Sequence, residues 1–136
     1  MNIAQYKTLI QNKLEEYFNE YSKVTESNSK IIVYNLKIDL GKYKVYIGNK
    51  EVLMSKKEFE TIKLFAQNPD RIFTRDNLLD AIWGIDQNGS MQTVDSHIKR
   101  LRKKINACNH PNWEIKTIWG VGYKLHIIQQ VQNPTR

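Results

Sequence analysis

The hydrophobic residues between positions 91 and 106 recur with the period of an α-helix. On a helix they form one narrow apolar stripe, which consists of Val94, Ile98, Leu101 and Ile105. The opposite side of the same helix carries Gln92, Ser96, Lys99, Arg100 and Lys103. The pattern therefore predicts a helix that packs on a core along one face and presents a basic face to solvent.

The edges of this stripe carry further polar groups. They are formed by Asp95 and Arg102 on one side and by Thr93, His97 and Lys104 on the other. We expect Asp95 to pair within the helix, either with Lys99 four residues later or with Arg102 on its own edge. We expect His97 to pack at the flank of the core and Lys104 to be a solvated charge.

Two regions have the pattern of β-structure. Residues 31–54 contain four short β-type runs, IIVY, LKIDL, KVYI and EVLM, which predict an antiparallel sheet of three or four strands. Near the other end, strands are predicted over Trp113–Trp119 and Tyr123–Ile128. Gly120 and Gly122 stand between these two strands and are expected to supply the positive-φ positions of a tight hairpin.

Two helices are predicted between the sheet and the basic helix. Ser55 begins the capping-box sequence SKKE, and the helix that it opens should run to about Gln67. Thr74 is expected to cap a second helix that runs to about Trp83 and ends at Gly84.

The N-terminal part of the chain has a different pattern of apolar and polar residues. Residues from Ile3 to Tyr21 have an amphipathic helical pattern, and the polar segment 22–30 is typical of a linker. We expect three regions: helix and linker over 1–29, a folded domain over 30–129, and a flexible tail over 130–136. The helix could pack on the domain, pair with another copy, or close a domain upstream.

Charge and composition narrow the function. The 136 residues carry a net charge of +7, and five of the 21 basic residues lie between positions 91 and 106 with only one aspartate. This surplus indicates an anionic partner, either nucleic acid or a membrane surface, although charge runs are also found on plain solvated faces. The sequence has no signal-peptide pattern and one cysteine, Cys108, so we expect a cytoplasmic protein without an intramolecular disulfide.

The sequence offers no recognisable catalytic or cofactor site. His97, His110 and His126 share no metal-ligand spacing with each other or with Cys108. The Gly120–Gly122 segment leads into a strand, so it does not present a helix N-terminus to a phosphate. We therefore expect a protein that is not an enzyme, with no metal, no other cofactor and no small-molecule substrate.

The order of these elements, together with three motifs, resembles a known family. The motifs are LMSKKEFETIKLFAQNPDRIFTRDNLLDAIWG, TVDSHIKRLRKKI and IKTIWGVGYKL. Over residues 35–128 the chain is similar to the winged helix-turn-helix DNA-binding domain of the OmpR/PhoB type, the output half of bacterial two-component response regulators. The resemblance implies an α+β fold in which an N-terminal antiparallel sheet and three helices precede a C-terminal hairpin, the wing.

The resemblance also implies a site on double-stranded DNA. Residues 93–106 would enter the major groove, and the 113–128 hairpin would reach the adjacent minor groove. Arg100 matches the position that reads a base edge, which suits a guanidinium because it can donate two bonds to guanine. The whole implied contact set is Trp83, Thr93, Ser96, Lys99, Arg100, Arg102, Lys103, Thr117, Trp119 and Tyr123.

Two positions depart from the family pattern. Gln92 stands where relatives often carry an arginine at the start of the basic helix, and Trp119 stands where the wing commonly carries one. Trp119 could pack on sugars, wedge into the groove or turn back to the domain. Two residues of the implied set also have structural alternatives, because Trp83 could belong to the core and Tyr123 could cover the sheet.

Partners beyond DNA follow only from the resemblance. The loop 85–90 could contact RNA polymerase or be a plain connector, and relatives often bind as dimers on tandem half-sites. Residues 1–21 resemble the closing helix of a receiver domain, so the chain is either a fragment or a stand-alone regulator, and we favour the fragment. A winged helix that binds an acidic protein is the main alternative function, and attachment to a membrane is a weaker one.

Overall fold

The computed structural model describes residues 2–5, 7–11, 25–26, 29–84 and 89–128. Residues 3–5 and 7–11 are helical, in line with the N-terminal helix predicted from the sequence, and the side chains of Ile3 and Ile10 are exposed. The rest of that helix, most of the linker, the loop residues 85–88 and the tail 130–136 lie outside the described residues.

The first sheet is antiparallel, with five strands in sequence order. The strands are β1 (Thr25–Glu26), β2 (Lys30–Val33), β3 (Leu36–Asp39), β4 (Lys44–Ile47) and β5 (Lys50–Val52). Ile31, Ile38, Val45 and Val52 stand opposite one another across four strands, and all four are buried. Alternation along these four strands, β2 to β5, therefore buries one face of the sheet, as predicted. The strand β1 was not predicted, because it lies in the polar segment that we interpreted as a linker.

The helix α1 (Lys56–Gln67) has the predicted bounds and the predicted cap. The Ser55 hydroxyl accepts from the Glu58 amide at 3.2 Å, and the Glu58 carboxylate accepts from the Ser55 amide at 2.8 Å. This reciprocal arrangement satisfies two backbone donors that a helix otherwise leaves without partners.

The second helix differs from the prediction in its second half. After β6 (Phe73–Thr74), α2 (Arg75–Leu78) begins at the Thr74 cap and widens into a π-helical turn over Leu79–Trp83. The Gly84 amide donates to the carbonyls of both Leu79 and Asp80 at 3.1 Å, and Gly84 ends the helix with a φ of 85°. The α-helix predicted up to Trp83 is thus wrong in its hydrogen bonding but right in its extent.

The helix α3 (Met91–Asn106) is the basic helix predicted from the sequence. Its predicted stripe is the part of the helix in the core, because Val94, Ile98, Leu101 and Ile105 are each 0% exposed. Full burial of side chains of this size stabilises a fold by roughly 1.5–3 kcal/mol each. Ser90 caps this helix, because its hydroxyl accepts from the Thr93 amide, so the predicted loop 85–90 ends in an N-cap residue.

The C-terminal hairpin joins β6 in a second sheet. Its strands are β7 (Trp113–Ile118) and β8 (Gly122–Ile127), and β8 lies between β6 and β7. The strands and helices share one hydrophobic core, which gives the predicted α+β fold.

Only one of the two hairpin glycines has the predicted role. Gly120 adopts a φ of 75° in the turn, whereas Gly122 lies within β8, where the backbone is not left-handed. A Cβ on Gly122 would lie 2.0 Å from the Phe73 carbonyl oxygen, so this glycine is required by the close approach of β6.

Gly122→Ala is expected to destabilise the protein by about 1–3 kcal/mol or more, because the new methyl group must push β6 and β8 apart. Denaturant unfolding of the two proteins measures the difference. Gly41→Ala is the matched control, since its Cβ would meet only the Asp39 carboxylate at an ordinary 3.6 Å. Equal losses in the two variants would contradict the steric explanation.

Candidate nucleic-acid interface

Three cations on α3 face solvent on the side opposite the buried stripe. The side chains of Lys99, Arg100 and Lys103 are exposed, and within the described residues none of them forms an ion pair. Arg100 and Ser96 border a shallow depression together with Ser90, Gln92 and Thr93. This free basic face can therefore meet a polyanion without breaking bonds that hold the fold.

Lys104 belongs to a different group of cations, because it has a structural partner. Its ammonium lies 2.6 Å from the carboxylate of Glu58 on α1 and donates to the Leu53 carbonyl at 3.0 Å. Glu58 is buried, and the bonds from Lys104 and Ser55 lower its pKa although burial acts in the opposite direction. The prediction that Lys104 is a solvated charge is therefore wrong.

Arg102 connects α3 to the hairpin. Its guanidinium donates to the Thr117 hydroxyl at 2.8 Å and to the Ile115 carbonyl at 3.3 Å, and it lies 5.5 Å from the centre of the Tyr123 ring. Arg102 and Thr117 both belong to the implied DNA-binding set. They are bonded to each other, and this bond joins the edge of α3 to the hairpin.

Asp95 makes the second connection along this edge. Its carboxylate accepts from the Arg75 guanidinium at 3.0 Å and from the Tyr123 hydroxyl at 2.7 Å. The predicted pairing of Asp95 within its own helix is wrong, because both partners belong to other elements, α2 and β8. Burial, followed by the bond to Asp95, raises the pKa of Tyr123, which is only 6% exposed.

His97 and Trp83 form the opposite edge. The His97 ring lies 2.9 Å from the Thr61 hydroxyl through Nε2, and it meets the Trp83 ring edge-on at 4.9 Å between centres. His97 is buried, which confirms the expectation that it packs at the flank. Burial, with a smaller contribution from the Arg100 charge, lowers its pKa below the ordinary 6.5. Trp83 is half-buried, with the Lys57 ammonium 5.5 Å from its ring centre.

A cleft of about 730 Å³ separates α3 from the hairpin. Its walls include Thr74, Arg75, Asp76, Met91, Asp95, Lys99, Arg102, Thr117, Trp119 and Tyr123. Trp119 stands at the hairpin tip and is 91% exposed, so the alternative in which it turns back to the domain is wrong.

The sequence interpretation overlooked Arg75 and Met91. Arg75 follows a cap and Met91 begins a helix, so each was assigned only to an element boundary. No spacing in the sequence links either residue to the hairpin, because the Arg75–Asp95 pair joins residues 20 positions apart. Only the tertiary arrangement identifies them as walls of the cleft.

The described part of the chain contains no cluster of three or more His, Cys, Asp or Glu side chains placed to hold a metal ion. None of its helices combines the length and the apolar character needed to cross a bilayer.

The chain also has recognisable relatives. Residues 49–125 match the protein family described as "Transcriptional regulatory protein, C terminal". The chain belongs to this family. The match covers both sides of the cleft and all of α3, so the family assignment rests on the region that contains the candidate interface.

Relatives of this chain are known both as sequences and as solved structures. YclJ of Bacillus subtilis (strain 168), a transcriptional regulatory protein, is 47% identical over 68 residues, which are 50% of this chain and 29% of YclJ. The chain thus spans less than a third of that relative. The DNA-binding domain of Klebsiella pneumoniae RstA, solved with the RstA box, is 32% identical, with a TM-score of 0.61 over 71% of this chain and 96% of that one.

A third relative extends the comparison beyond the isolated domain. The response regulator DrrB of Thermotoga maritima, an OmpR/PhoB homologue, is 32% identical, with a TM-score of 0.63 over 88% of this chain and 52% of that one. The fold is thus the winged helix of OmpR/PhoB-type regulators, as the motifs predicted.

Replacing Lys104 is expected to cost stability, whereas replacing Lys103 is not. Lys104→Ala leaves the buried Glu58 carboxylate without its ammonium, which should cost about 1–2 kcal/mol because the pair is partly exposed. Lys103→Ala removes an exposed charge with no ion-pair partner among the described residues, so its effect should stay within about 0.5 kcal/mol. Denaturant unfolding at neutral pH compares the two variants, and equal values would contradict the assigned partner.

The lowered pKa of His97 predicts a pH dependence. Because burial favours the neutral ring, its contribution to stability is fully present above the unfolded pKa of about 6.5 and is lost as pH falls through the lower folded pKa. Unfolding free energies measured from about pH 8 to about pH 5 should therefore fall more for the wild type than for His97→Gln. His110 and His126 are present in both proteins, so parallel curves would count against a neutral, buried His97.

Proposed function

We propose that this chain is the sequence-specific, double-stranded DNA-binding domain of a transcriptional regulator, with α3 in the major groove and the β7–β8 hairpin as its wing. The observation that carries the proposal is the free basic face of Lys99, Arg100 and Lys103, opposite a fully buried stripe. A helix with its side chains is about 10–12 Å wide, which fits a major groove of about 12 Å. The relative RstA, whose DNA-binding domain was solved with its DNA box, supports the same function.

The roles within the basic face follow from side-chain chemistry. Arg100 reads sequence, because a planar guanidinium can donate two bonds to the O6 and N7 atoms of one guanine. Lys99 and Lys103 bind phosphates, which hold the helix in register but carry no base information. Ser96 lies beside Arg100 at the same depression, where its hydroxyl can bond to a base or a phosphate.

The remaining residues of the implied site have more than one function. Thr93 contributes to the helix cap through its hydroxyl, and its position at the start of α3 suits a phosphate contact. Arg102 and Thr117 are bonded to each other and hold the hairpin, and from the cleft they also contact the DNA backbone. Trp83 is half-buried, so the exposed part of its ring can contact the DNA backbone. Tyr123 supports the interface from inside the protein, because its ring is buried and its hydroxyl donates to Asp95.

Membership of the family supports a wider biological role. We assign the chain to the output side of a two-component response regulator that binds tandem half-sites as a dimer. The loop 85–90, of which 85–88 lie outside the described residues, is the proposed contact for RNA polymerase. The proposed role of this chain is binding alone, without a catalysed reaction.

Selection of bound sequences from a random duplex pool tests the proposal directly. We expect enrichment of a motif, repeated in direct orientation if two copies bind. Affinity for the selected duplex should fall steeply with salt, by about one decade per phosphate contact for each decade of salt concentration. A pool without enrichment and without salt-sensitive binding would favour an acidic protein as the partner of the basic face.

Arg100→Ala and Lys103→Ala should separate base reading from phosphate binding. Arg100→Ala should cost roughly 1–3 kcal/mol at the selected site and flatten the preference at one base pair. Lys103→Ala should weaken binding to all sequences about equally and reduce the salt slope by about one unit. Titration of each variant with the selected duplex and a scrambled duplex measures both effects. A selective loss in Lys103→Ala would mean that the two roles are reversed.

A further inference from the structure

Gln92 is a polar side chain at the start of α3 that the fold does not use. It is exposed, and its amide makes no hydrogen bond to any other described residue. The neighbouring hydroxyls of Ser90 and Thr93 lie 3.1 Å apart and form the helix cap without Gln92. Both the donor and the acceptor of the Gln92 amide are therefore available to a ligand.

The position of Gln92 on α3 places it in the free basic face. Successive residues of a helix turn by about 100°, so Gln92 points about 150° away from the centre of the buried stripe and between the directions of Lys99 and Lys103. It also borders the same shallow depression as Ser96 and Arg100. A duplex that is bound by the basic face therefore also meets the Gln92 amide.

The chemistry of this amide favours a base over a phosphate. A phosphate offers only acceptors, so the Gln92 carbonyl oxygen would face a negative group without receiving a hydrogen bond. The major-groove edge of adenine offers the acceptor N7 beside the N6 amino donor, and a glutamine amide matches both. Guanine offers two acceptors at these positions, which leaves the amide oxygen unsatisfied. Adenine is therefore the base that fits Gln92.

We propose that Gln92 reads an adenine in the major groove through two hydrogen bonds. This inference rests on the proposed function and adds a second determinant of sequence to Arg100. The two residues are eight positions apart, which is about 12 Å along the helix at 1.5 Å per residue. Base pairs are stacked about 3.4 Å apart, so the adenine lies about three to four base pairs from the guanine that Arg100 contacts.

Selection from a random duplex pool tests the proposal at the level of sequence. The wild type should enrich an adenine about three to four base pairs from the guanine that Arg100→Ala no longer selects. Gln92→Ala should lose this adenine and keep the guanine. Gln67→Ala is the matched control, since it removes an exposed glutamine of α1 that borders neither the depression nor the cleft. An adenine that is still selected by Gln92→Ala would overturn the proposal.

Replacement of one base atom locates the contact. The base 7-deazaadenine has a C–H group in place of N7 and keeps the N6 amino group, so one of the two proposed hydrogen bonds is lost. The wild type should bind the duplex with this base about five- to tenfold more weakly than the unmodified duplex. Gln92→Ala should bind both duplexes equally. An equal loss in the two proteins would mean that another group reads N7, and the proposal would be wrong.

Two further measurements separate base reading from phosphate binding. Gln92→Ala removes no charge, so its affinity for the selected duplex should fall about tenfold while the slope of affinity against salt stays unchanged. Gln92→Glu replaces the amide donor with an acceptor, so the preference should move from adenine to cytosine, whose N4 amino group donates. Equal weakening of the selected and a scrambled duplex by Gln92→Ala would instead assign Gln92 to the DNA backbone.

This inference and the proposed function fail in different ways. If Gln92→Ala selects the same motif as the wild type, Gln92 is not a determinant of sequence. Loss of the guanine preference in Arg100→Ala would in that case still support the proposed function. If the wild type shows no salt-sensitive binding to any duplex, the proposed function fails and the inference about Gln92 fails with it.

Discussion

Burial of one narrow stripe on α3 is the constraint on which the rest of the structure depends. Val94, Ile98, Leu101 and Ile105 are all fully buried, and they occupy a narrow sector of the helix surface. Because the stripe is narrow, only one rotation of the helix about its axis buries all four side chains. That rotation decides which residues of α3 meet α1, which meet the hairpin, and which face solvent. The position of every charge on the helix follows from this packing.

The same rotation divides the basic residues of α3 into two groups. Arg102 and Lys104 lie at the edges of the stripe, where they reach the Thr117 hydroxyl and the Glu58 carboxylate and become part of the fold. Lys99, Arg100 and Lys103 lie on the far side, where none of them forms an ion pair within the described residues. Net charge alone therefore overstates the charge available for binding, because the Lys104 ammonium is paired with the Glu58 carboxylate. Since the two groups are separate, a ligand can engage the free cations without drawing on the bonds that stabilise the domain.

Local signals made most of the fold predictable from the sequence. The capping box at Ser55, the stop at Gly84 and the stripe of α3 each depend on neighbours within a few residues. The helical wheel also assigned Asp95 and Lys104 correctly to opposite edges of α3. It could not give their partners, Arg75 and Glu58, which lie 20 and 46 residues away, because tertiary packing alone brings them close. Gly122 is a further example, since the Gly-X-Gly pattern suggests a turn while the actual reason is the backbone of β6.

The angle between α3 and the hairpin depends on few polar contacts. Asp95 accepts from Tyr123, and Arg102 donates to Thr117, so two side chains seven residues apart on one edge bond to the two strands of the wing. Their spacing along α3, about 10 Å at 1.5 Å per residue, prevents the hairpin from pivoting about a single point. In the proposed function, α3 and the wing contact neighbouring grooves of the same duplex. Because the distance between these grooves is fixed, the distance between α3 and the wing must be fixed as well. In the proposed function, Asp95 therefore supports DNA recognition without contacting DNA, since its bond to Tyr123 helps to hold the wing at a fixed angle to α3.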